Sequence, residues 1–350
     1  MNHATEGVTQ IMKAYQLSRA EGFSSLELVD RPEPGPLGPR DVRVRVRAAS
    51  LNYRDLVIAR NAFRRERPVV PTSDGAGEVL AVGSAVTRIA VGDRVAANFF
   101  PTWLTGELQA EHHERALGGS TDGMLAQEVV LDEGSWLKIP AHFSFEQAAT
   151  LPCAALTAWH ALFEAAHLRP GDTLLVQGTG GVSLFALQLG LRAGARVIAT
   201  SSSAEKRARL ERLGAAVTLD YKQTPNWGEA ARAATGGRGV DVVVEVGGAG
   251  TFDQSIQALR FGGTLSLIGV LAGTQGSINT HQVLHKNIRV HGVYVGSVSM
   301  FEDLLRTLNA NATSPLEPII DRVFPFGEAR AAYEHLASGA HFGKVVVRVD

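Results

Sequence analysis

The sequence lacks the features of several protein classes. Its 350 residues contain one cysteine, Cys153, which excludes an internal disulfide and is normal in a reducing compartment. No apolar run approaches the ~20 residues that a transmembrane helix needs. The N-terminal stretch has neither the basic segment nor the apolar segment of a secretory signal peptide. These absences predict a soluble, cytoplasmic protein with no membrane partner.

A charge excess of either sign is also missing. Lys and Arg number 34 against 35 Asp and Glu, a formal net charge of −1, and no basic run exceeds the two arginines at 64–65. Binding to nucleic acid needs a concentrated basic face, so we expect no nucleic-acid partner. The hydrophobic fraction of 45% and charged fraction of 20% are ordinary for globular proteins. The length suggests about two domains.

The first part of the chain has a β-rich pattern. Residues 1–10 are polar and unpatterned, so we expect them to be loose. Up to about residue 140, short alternating segments such as "DVRVRVRAA" are separated by Pro/Gly clusters, a pattern typical of antiparallel strands. Helix-period residues follow, with Ser144 as a predicted N-cap.

The middle of the chain alternates strand and helix patterns. The apolar segments "TLLVQG", "ARVIATS", "AVTLDY", "VDVVVEVG" and "TLSLIGV" are separated by helix-period stretches. This alternation predicts an α/β fold with a doubly wound parallel sheet. From about residue 300, two helical segments flank "PLEPIIDRVFPF", and the chain ends on the strand "KVVVRV". We therefore expect one domain interrupted by another, with the ligand site in the cleft between them.

A glycine-rich turn predicts a nucleotide site. Gly178, Thr179, Gly180 and Gly181 stand where a strand ends and a helix begins. Such a turn allows close backbone approach, and the helix N-terminus offers N–H groups to a pyrophosphate. Ser183 replaces the third glycine of the usual fingerprint. The alternative is a glycine-rich turn in a parallel sheet that binds nothing.

The residues after the second strand favour NADP(H). Sites selective for NAD place Asp or Glu about 20 residues after the glycines, to hold the ribose diol. Here the strand ends in Thr200, Ser201, Ser202 and Ser203, followed by Lys206 and Arg207. Hydroxyls and cations suit a 2′-phosphate. The alternative is a serine-rich N-cap followed by solvated basic residues.

From about residue 12 to 350 the chain resembles the medium-chain dehydrogenase/reductase superfamily. The segments that carry the resemblance are "LNYRD", "DGAGEVLAVGSAVTRIAVGDRV", "GTGGV", "FGGTLSLIG" and "GKVVVRV". The resemblance implies a GroES-like, β-rich catalytic domain, here 1–155 with 300–350, and a Rossmann domain, here 156–299. It also implies a homodimer or homotetramer.

The resemblance allows the metal ligands of zinc alcohol dehydrogenases to be checked. Their positions fall on Asn52, Ser73 and Cys153, so two of the three are an amide and a hydroxyl, which zinc disfavours. The region matching the structural zinc lobe holds no cysteine, and its adjacent His112 and His113 are interpreted as solvated loop residues. We therefore predict an enzyme without zinc.

Without zinc, the resemblance shifts to the quinone oxidoreductase branch. That branch meets the 2′-phosphate with residues matching Ser202, Ser203, Lys206 and Tyr221. Quinones and α,β-unsaturated carbonyls are then the expected acceptors, because their reduced intermediates are delocalised and need only a hydrogen-bond donor. A zinc-independent alcohol dehydrogenase or carbonyl reductase is the second hypothesis, and an NADPH-binding structural or regulatory protein is the third.

Tyr53 is the first candidate for the donor, and Arg54 is the second. Asn52 would position the nicotinamide or the substrate. Tyr53 is alternatively a packing residue. The predicted substrate pocket contains Asp55, interpreted as a loop anchor, Ser73 and Asp74, interpreted as pocket-lining or hydrogen-bonding, and Phe99, Trp103 and Cys153. The aromatic cluster Phe99, Phe100 and Trp103 either walls the cleft or packs the lobe.

Cys153 has three alternative roles: nucleophile, metal ligand or small apolar residue. His160 lies two helical turns away, about 10 Å by the ~1.5 Å rise per residue, too far for a catalytic dyad. We interpret Cys153 as a small apolar wall near the substrate. The predicted cofactor set is completed by Thr157, Val182, Gly247, Gly269, Val270, Val295 and Lys344. For Lys344 the alternative is an exposed lysine at the start of a strand.

Overall fold

The computed structural model describes residues 11–18, 22–60, 67–310 and 315–349. The segment 1–10, predicted to be loose, lies outside these residues. The described chain forms a two-stranded antiparallel sheet, a six-stranded parallel sheet and a seven-stranded mixed sheet. None of its helices is long and apolar enough to cross a bilayer.

The strands and helices follow the order of the predicted pattern. The strands are β1 (Ile11–Leu17), β2 (Leu26–Pro32), β3 (Asp41–Leu51), β4 (Asp74–Val82), β5 (Arg94–Ala97), β6 (Glu128–Asp132), β7 (Trp136–Lys138), β8 (Thr173–Gln177), β9 (Arg196–Thr200), β10 (Val217–Leu219), β11 (Val240–Glu245), β12 (Leu259–Leu267), β13 (Arg289–Gly292), β14 (Ile320–Pro325) and β15 (Lys344–Arg348). The α-helices are α1 (Tyr53–Ala59), α2 (Ala110–His113), α3 (Phe145–Ala149), α4 (Leu156–Trp159), α5 (Gly181–Arg192), α6 (Ala204–Arg212), α7 (Trp227–Ala233), α8 (Phe252–Ala258), α9 (Thr280–His285), α10 (Val298–Ala310) and α11 (Ala329–Ala337).

The mixed sheet joins the N-terminal strands to the C-terminal return. Its order is β14-β15-β3-β4-β5-β7, with β6 also pairing with β3. The strand predicted at the C-terminus, β15, pairs antiparallel with the end of β3, where Val345 lies opposite Leu51. The first residue of β15, Lys344, is thereby placed beside the start of α1.

The parallel sheet has the order β10-β9-β8-β11-β12-β13. The chain builds outward from β8 in one direction and then from β11 in the other, so the strand order reverses between these two strands. In open α/β sheets a crevice forms at such a point, outside the carboxyl ends of the strands. The predicted doubly wound sheet is confirmed, and its topology locates a ligand site.

Burial on both faces explains the uninterrupted apolar strands. In β8, Leu174 and Val176 belong to the core shared with α5 and the helical run after α3, whereas Leu175 packs against the layer of α7 and α8. A strand with helices on both faces has no polar side to show in its sequence. The first of these cores continues into the mixed sheet through Ala48 and Ala76.

The helical run after β7 begins as predicted at Ser144. Its Oγ accepts from the Gln147 N–H at 3.1 Å, and Gln147 Oε1 accepts from the Ser144 N–H at 2.9 Å. This reciprocal pair is a capping box. The run continues from α3 through wide π-helical turns at Leu151–Ala155 and His160–Ala165, on either side of α4. It brings Cys153 and Thr157 to the carboxyl ends of the parallel strands.

Candidate active site

A cavity of about 1230 Å³ lies at the carboxyl ends of the parallel strands and extends to α1 of the mixed-sheet half. Its position is the one that the strand order indicates. Most of the residues predicted for the cofactor and substrate sites line it together. These are Asn52, Tyr53, Arg54, Phe99, Cys153, Thr157, Gly178, Thr179, Gly180, Gly181, Val182, Ser201, Ser202, Ser203, Lys206, Tyr221, Gly269, Val270, Val295 and Lys344.

One end of the cavity is formed by the glycine turn after β8. Gly178 has φ +70°, in the left-handed region that favours glycine. A Cβ placed on Gly178 or Gly180 would meet no atom within 4 Å, so both glycines border open space. Gly180 precedes the first residue of α5 and provides no side-chain cap. The free N–H groups of this helix N-terminus can therefore bind an anion.

Ser183 replaces the third glycine without opening the packing. Its Oγ donates to the Gln177 carbonyl at 2.6 Å, and the side chain is buried. A small hydroxyl therefore ties the first turn of α5 to the end of β8, which satisfies the close helix–strand packing that the third glycine normally permits.

The serine cluster after β9 extends this end of the cavity. Ser203 Oγ accepts from the Lys206 N–H at 3.3 Å and caps α6. The Lys206 ammonium donates to the carbonyls of Gly339 and His341 at 3.0 and 2.8 Å, leaving one of its three hydrogens for a ligand. Burial lowers the pKa of Lys206. Residues 178–183 and 201–206 together are called the glycine-turn end below.

Arg207 does not add a second free cation there. Its Nη1 donates to Asp220 Oδ2 at 2.6 Å and to the Ser201 carbonyl at 2.9 Å. The Asp220 carboxylate is thereby paired. Burial raises its pKa, but hydrogen bonds from the Gln223 and Lys222 N–H groups, together with the charge and hydrogen bond of Arg207, outweigh burial and lower the pKa of Asp220.

The other end of the cavity contains a buried ammonium. Lys344 is only 3% exposed, and its Nζ donates to Asn52 Oδ1 at 2.5 Å and to the Leu51 carbonyl at 2.7 Å. Its Nζ is 4.0 Å from Asp74 Oδ2. The alternative of an exposed lysine is wrong, because the antiparallel pairing of β15 with β3 carries the side chain under the start of α1. Asn52, Tyr53, Cys153 and Lys344 are called the lysine end below.

Asp74 is the buried counter-charge of Lys344. It accepts from Ser73 Oγ at 2.7 Å and from the Cys153 N–H at 3.2 Å. Burial raises the pKa of Asp74, while the Lys344 ammonium and these hydrogen bonds oppose the rise. The carboxylate, the ammonium and the helical run at Cys153 therefore form one electrostatic unit at the cavity wall.

The short helix α1 positions Tyr53 and Arg54 at the cavity. Asp55 anchors the helix start as predicted, since its Oδ2 accepts from the Asn52 N–H at 2.7 Å. Burial raises the pKa of Asp55 to about 6, against the lowering effect of Arg54. Arg54 donates to the Leu117 carbonyl at 2.7 Å and lies 4.5 Å from the centre of the Phe99 ring. Tyr53 is 42% exposed and is the less constrained donor candidate.

Cys153 has the environment of an inert thiol. It lines the cavity, and burial and the Asp74 charge raise its pKa, which disfavours the thiolate. His160 Nδ1 lies 2.7 Å from the Val295 carbonyl oxygen and is thereby committed to another partner. These contacts agree with the interpretation of Cys153 as a small apolar wall.

Several predicted site residues do not reach the cavity. Asp55, Ser73 and Asp74 are fully buried behind it and act through Asn52, Cys153 and Lys344. Trp103 packs against the Phe100 and His160 rings, so it fills the lobe rather than walling the cleft. Two predicted cofactor contacts also lie outside the lining. Thr200 is buried at the end of β9, and the Gly247 N–H donates to Glu245 Oε1 at 2.7 Å.

The sequence prediction missed the C-terminal side of the cavity. Leu336, Ala337, Gly339, His341 and Gly343 line it just before Lys344. The Gly343 N–H donates to the Thr179 carbonyl at 2.9 Å, so this segment lies along the glycine turn. The stretch "HFGKVVV" was a usable signal for these residues. The cavity is also lined by residues that no local sequence pattern marks: Arg60, Arg67, His113, Gly119 and Ser120.

The residues at the positions implied for zinc can be tested for fit. Asn52 Oδ1 accepts from an ammonium, the Ser73 hydroxyl donates to Asp74, and the Cys153 thiolate is disfavoured. A cation already lies among them. Within the described ranges, no group of three His, Cys, Asp or Glu side chains could hold a metal ion. The donor set therefore does not fit zinc.

Comparison with known proteins identifies the family. A model for the alcohol dehydrogenase GroES-like domain matches residues 38–141, and a model named zinc-binding dehydrogenase matches residues 181–310. A zinc-type alcohol dehydrogenase-like protein of Schizosaccharomyces pombe is 44% identical over 94% of this chain and 96% of its own length. The chain belongs to the medium-chain dehydrogenase/reductase superfamily. The predicted GroES-like and Rossmann folds of this medium-chain dehydrogenase/reductase are thereby confirmed.

Other relatives have different names. A quinone oxidoreductase-like protein 2 homolog of Nematostella vectensis is 30% identical over 89% of this medium-chain dehydrogenase/reductase and 82% of its own length. A solved candidate alcohol dehydrogenase of Sinorhizobium meliloti superposes with a TM-score of 0.89 at 40% identity, covering 97% of this chain and 99% of the other. Alcohol dehydrogenase-like and quinone oxidoreductase-like proteins are thus both similar to this chain.

Two similar solved structures are described with different cofactors. One, an NAD-dependent alcohol dehydrogenase, has a TM-score of 0.87 at 34% identity and covers 97% of this chain and 100% of its own. Another, a 2-octenoyl-CoA carboxylase reductase in complex with NADP and 2-octenoyl-CoA, has a TM-score of 0.84 at 26% identity and covers 98% and 88%. The cofactor preference therefore has to be argued from this chain's own residues.

Proposed function

We propose that this protein is an NADP(H)-dependent oxidoreductase that transfers hydride between the nicotinamide and a quinone, an enone or another carbonyl acceptor, without zinc. The observation that carries the proposal is one cavity that joins the glycine-turn end to the lysine end. The first suits a phosphorylated dinucleotide, and the second offers hydrogen-bond donors to a polar acceptor. The relative named quinone oxidoreductase-like and the neighbour with NADP and an enoyl-CoA support the same class.

The glycine-turn end would hold the dinucleotide. The N-terminus of α5 faces the open space beside Gly178 and Gly180, where the pyrophosphate would lie. After β9, the residues that line the cavity carry three hydroxyls and one ammonium, while the carboxylate of Glu205 is exposed and lies outside the lining. A 2′-phosphate would therefore gain hydrogen bonds from Ser202 and Lys206 with no carboxylate in the lining to repel it. When bound, the cofactor supplies the hydride.

The lysine end would handle the acceptor. The Lys344 ammonium holds the side chain of Asn52 in one orientation at the cavity wall. The hydroxyl of Tyr53 would donate a hydrogen bond to the substrate oxygen that gains negative charge during reduction. The ammonium, buried and close to the same wall, adds positive potential there. A quinone or enone spreads its developing charge and needs no stronger electrophile.

This charge arrangement supports a mechanism without zinc. A divalent ion placed among Asn52, Ser73 and Cys153 would be repelled by the Lys344 ammonium and would have only neutral oxygens and a disfavoured thiolate as ligands. No step is therefore assigned to a metal. Purified protein should keep its activity after treatment with a zinc chelator, and activity lost on chelation and restored by zinc would reject this part of the proposal.

Cofactor titration tests the preference. Wild type should bind NADPH more tightly than NADH, and Lys206→Ala should weaken NADPH binding roughly tenfold, the loss of one charge-assisted hydrogen bond, while leaving NADH unchanged. Lys222→Ala is the matched control, since Lys222 is exposed near the same end but does not line the cavity. Tighter binding of NADH by wild type would contradict the proposal.

Substrate class is tested by a small panel. NADPH oxidation should be fast with a benzoquinone or an enone and slower with a simple aldehyde. The second candidate is a zinc-independent alcohol dehydrogenase or carbonyl reductase, and the alcohol dehydrogenase names of two relatives favour the alcohol dehydrogenase class. It predicts the opposite order and NADP⁺ reduction by a secondary alcohol. Tight NADPH binding with no turnover on any of these compounds would favour a structural or regulatory protein.

We further propose a cytoplasmic homo-oligomer. Strand β13 forms one edge of the parallel sheet, and all four of its residues are exposed. Exposed edge strands are a common template for pairing between copies. Light scattering should give a dimer or tetramer mass, and a charge-repulsive Val290→Lys variant should lower it. A monomer at micromolar concentration would contradict this proposal.

A further inference from the structure

A strained segment forms one wall of the cavity. Val293, Tyr294 and Val295 line it, and Val295 has φ +56°, a left-handed conformation that is unfavourable for a β-branched residue. Such strain persists only where the surrounding structure enforces it, and it is concentrated at functional sites. The contacts that hold Val295 therefore bear on the site.

Two buried polar side chains hold this segment from behind. His160, 8% exposed, lies with Nδ1 2.7 Å from the Val295 carbonyl oxygen. Asn98, fully buried, donates from Nδ2 to the Gly296 carbonyl at 3.4 Å and to the Phe100 carbonyl at 2.9 Å. The segment is also tightly packed, since a Cβ on Gly296 would lie 2.8 Å from the side chain of Leu156.

The protonation of His160 follows from its partner. A carbonyl oxygen can only accept, so Nδ1 must carry a proton and donate it. Burial lowers the pKa of His160, which favours the neutral ring protonated at Nδ1. The rings of Trp103 and His291 lie nearby, with centroids 6.4 and 5.9 Å away, and Glu164 is a charged neighbour. The hydrogen bond to Val295 is therefore the main polar contact of the ring.

The carbonyl oxygens of Val295 and Gly296 accept hydrogen bonds from His160 and Asn98, so other backbone groups of the segment can bind a ligand. Within the described ranges, the Val295 N–H has no acceptor in the protein, although the residue lines the cavity. Thr157, Gly269 and Val270 line the same cavity. A flat amide-bearing ring placed against the Val295 wall would meet a preformed backbone edge.

We propose that His160 is a positioning residue, which fixes the strained Val295 backbone through its Nδ1–H and thereby orients the nicotinamide ring for hydride transfer. This inference rests on the proposed function, because it places the nicotinamide at this wall. His160 should therefore affect hydride transfer. It should not affect binding of the adenosine half of the cofactor, because that half would lie at the glycine-turn end. A small loss of orientation in such a site is enough to slow transfer about 10²-fold.

Two substitutions separate the hydrogen bond from the packing. His160→Leu removes the donor and keeps an apolar group in the space. His160→Asn retains an N–H donor at the position of Nδ1. His167→Leu is the matched control, because the His167 Nδ1 is also 3.0 Å from a backbone carbonyl, that of Phe163, but the residue is exposed and does not line the cavity.

The first measurement compares turnover with binding of the two halves of the cofactor. His160→Leu should lower kcat roughly 10- to 100-fold and weaken NADPH binding, while the Kd of 2′-phospho-ADP-ribose, which lacks the nicotinamide, stays within about twofold. His160→Asn should restore most of kcat, and His167→Leu should match wild type. Equal impairment of the leucine and asparagine variants, or wild-type kcat in His160→Leu, would overturn the proposal.

The second measurement does not depend on activity. Amide hydrogen exchange of residues 294–298 in the cofactor-free protein should be faster in His160→Leu than in wild type and should slow again in His160→Asn. Unchanged exchange in His160→Leu would show that His160 does not hold the segment. If wild type binds neither dinucleotide, the proposed function fails, and the exchange result alone then decides whether His160 fixes Val295.

Discussion

The two ends of the cavity are built in different ways. The glycine-turn end comes from one stretch of chain, β8 to α6, and presents mostly backbone groups and short hydroxyls. The lysine end gathers side chains from separate segments, with Asn52 and Tyr53 at the start of α1, Cys153 after α3 and Lys344 on β15. The glycine-turn end forms from residues that are close together in the chain, whereas the lysine end forms only when β15 pairs with β3.

The difference also appears in the electrostatics. At the glycine-turn end, the helix N-terminus and one partly used ammonium provide a weak positive potential near solvent. At the lysine end, an ammonium and the Asp74 carboxylate are both buried, with Asp74 also accepting from Ser73 and Cys153. Breaking the buried charge pair of the lysine end should therefore affect stability and activity together, whereas substitutions at the glycine-turn end should affect binding alone.

The largest expected effect is the loss of the buried ammonium. Lys344→Met leaves the Asp74 carboxylate without its counter-charge and should lower the free energy of unfolding by about 3 kcal/mol, the usual cost of breaking a buried pair. Urea denaturation at pH 8 measures it. The double variant Lys344→Met/Asp74→Asn should recover most of the stability but not the turnover. A single variant as stable as wild type would show that the two ends do not differ in this way.

The pH dependence of this variant has a defined sign. Burial raises the pKa of Asp74 in the folded protein, and removing Lys344 raises it further. A carboxyl with a raised folded pKa lowers stability as pH rises from its unfolded pKa, near 4, through its folded value. The deficit of Lys344→Met should therefore be small at pH 4 and complete only above the folded pKa. A deficit independent of pH would contradict the charge explanation.

The next effect is confined to binding. Gly180→Val projects a side chain into space that is empty in the protein, where no atom lies within 4 Å of the added Cβ. The dissociation constant for NADPH should rise at least 100-fold, about 2.7 kcal/mol, with a nearly unchanged melting temperature. Gly327→Val is the control, since that glycine also borders open space but lies outside the cavity lining. Equal Kd values for the two variants would rule out a pyrophosphate beside Gly180.

A smaller effect is expected at Tyr53. Tyr53→Phe removes one hydroxyl from the lysine end and should lower kcat about tenfold, the value of one hydrogen bond made in the transition state, with little change in NADPH affinity. Tyr294→Phe is the matched control because Tyr294 lines the same cavity with similar exposure, 40% against 42%. Full turnover by Tyr53→Phe would exclude Tyr53 as the donor.

The smallest effect is expected at Cys153. Because burial raises the pKa of its thiol, Cys153→Ala should change kcat by less than about twofold, and iodoacetamide at pH 8 should react slowly with the wild-type protein. Rapid alkylation with loss of activity would show a thiolate at the lysine end and would reopen a nucleophilic role for Cys153.

Much of the glycine-turn end was predictable because its interactions are local. Gly178 and Gly180 stand between a strand and a helix within a few residues, and the serines that follow β9 are adjacent in the chain. Two predicted cofactor contacts, Thr200 and Gly247, lie outside the cavity lining. Thr200 is buried at the end of β9, and the N–H of Gly247 donates to Glu245, and no spacing rule in the sequence specifies either arrangement.

The lysine end was predictable only as a set of residue types. For Ser73 and Asp74 the sequence allows either lining of the pocket or hydrogen bonding. The start of β4 places them behind the cavity, where they form hydrogen bonds and support Cys153 and Lys344. For Trp103 the sequence allows either a place in the wall of the cleft or packing within the lobe. Its ring contacts with Phe100 and His160 show that it packs within the lobe. Each outcome depends on how separate segments pack, which is a property of the folded chain.

The sequence by itself determined the two kinds of sheet, the strand-to-helix glycine turn and the family, because hydrophobic periodicity and short motifs act over a few residues. Only the tertiary structure decided that Lys344 is a buried cation beside Asn52 and that His160 holds a strained wall through Val295. Both contacts join residues more than a hundred positions apart. Their formation depends on strand pairing and on the cost of burying unpaired polar groups, which are settled when the whole chain packs.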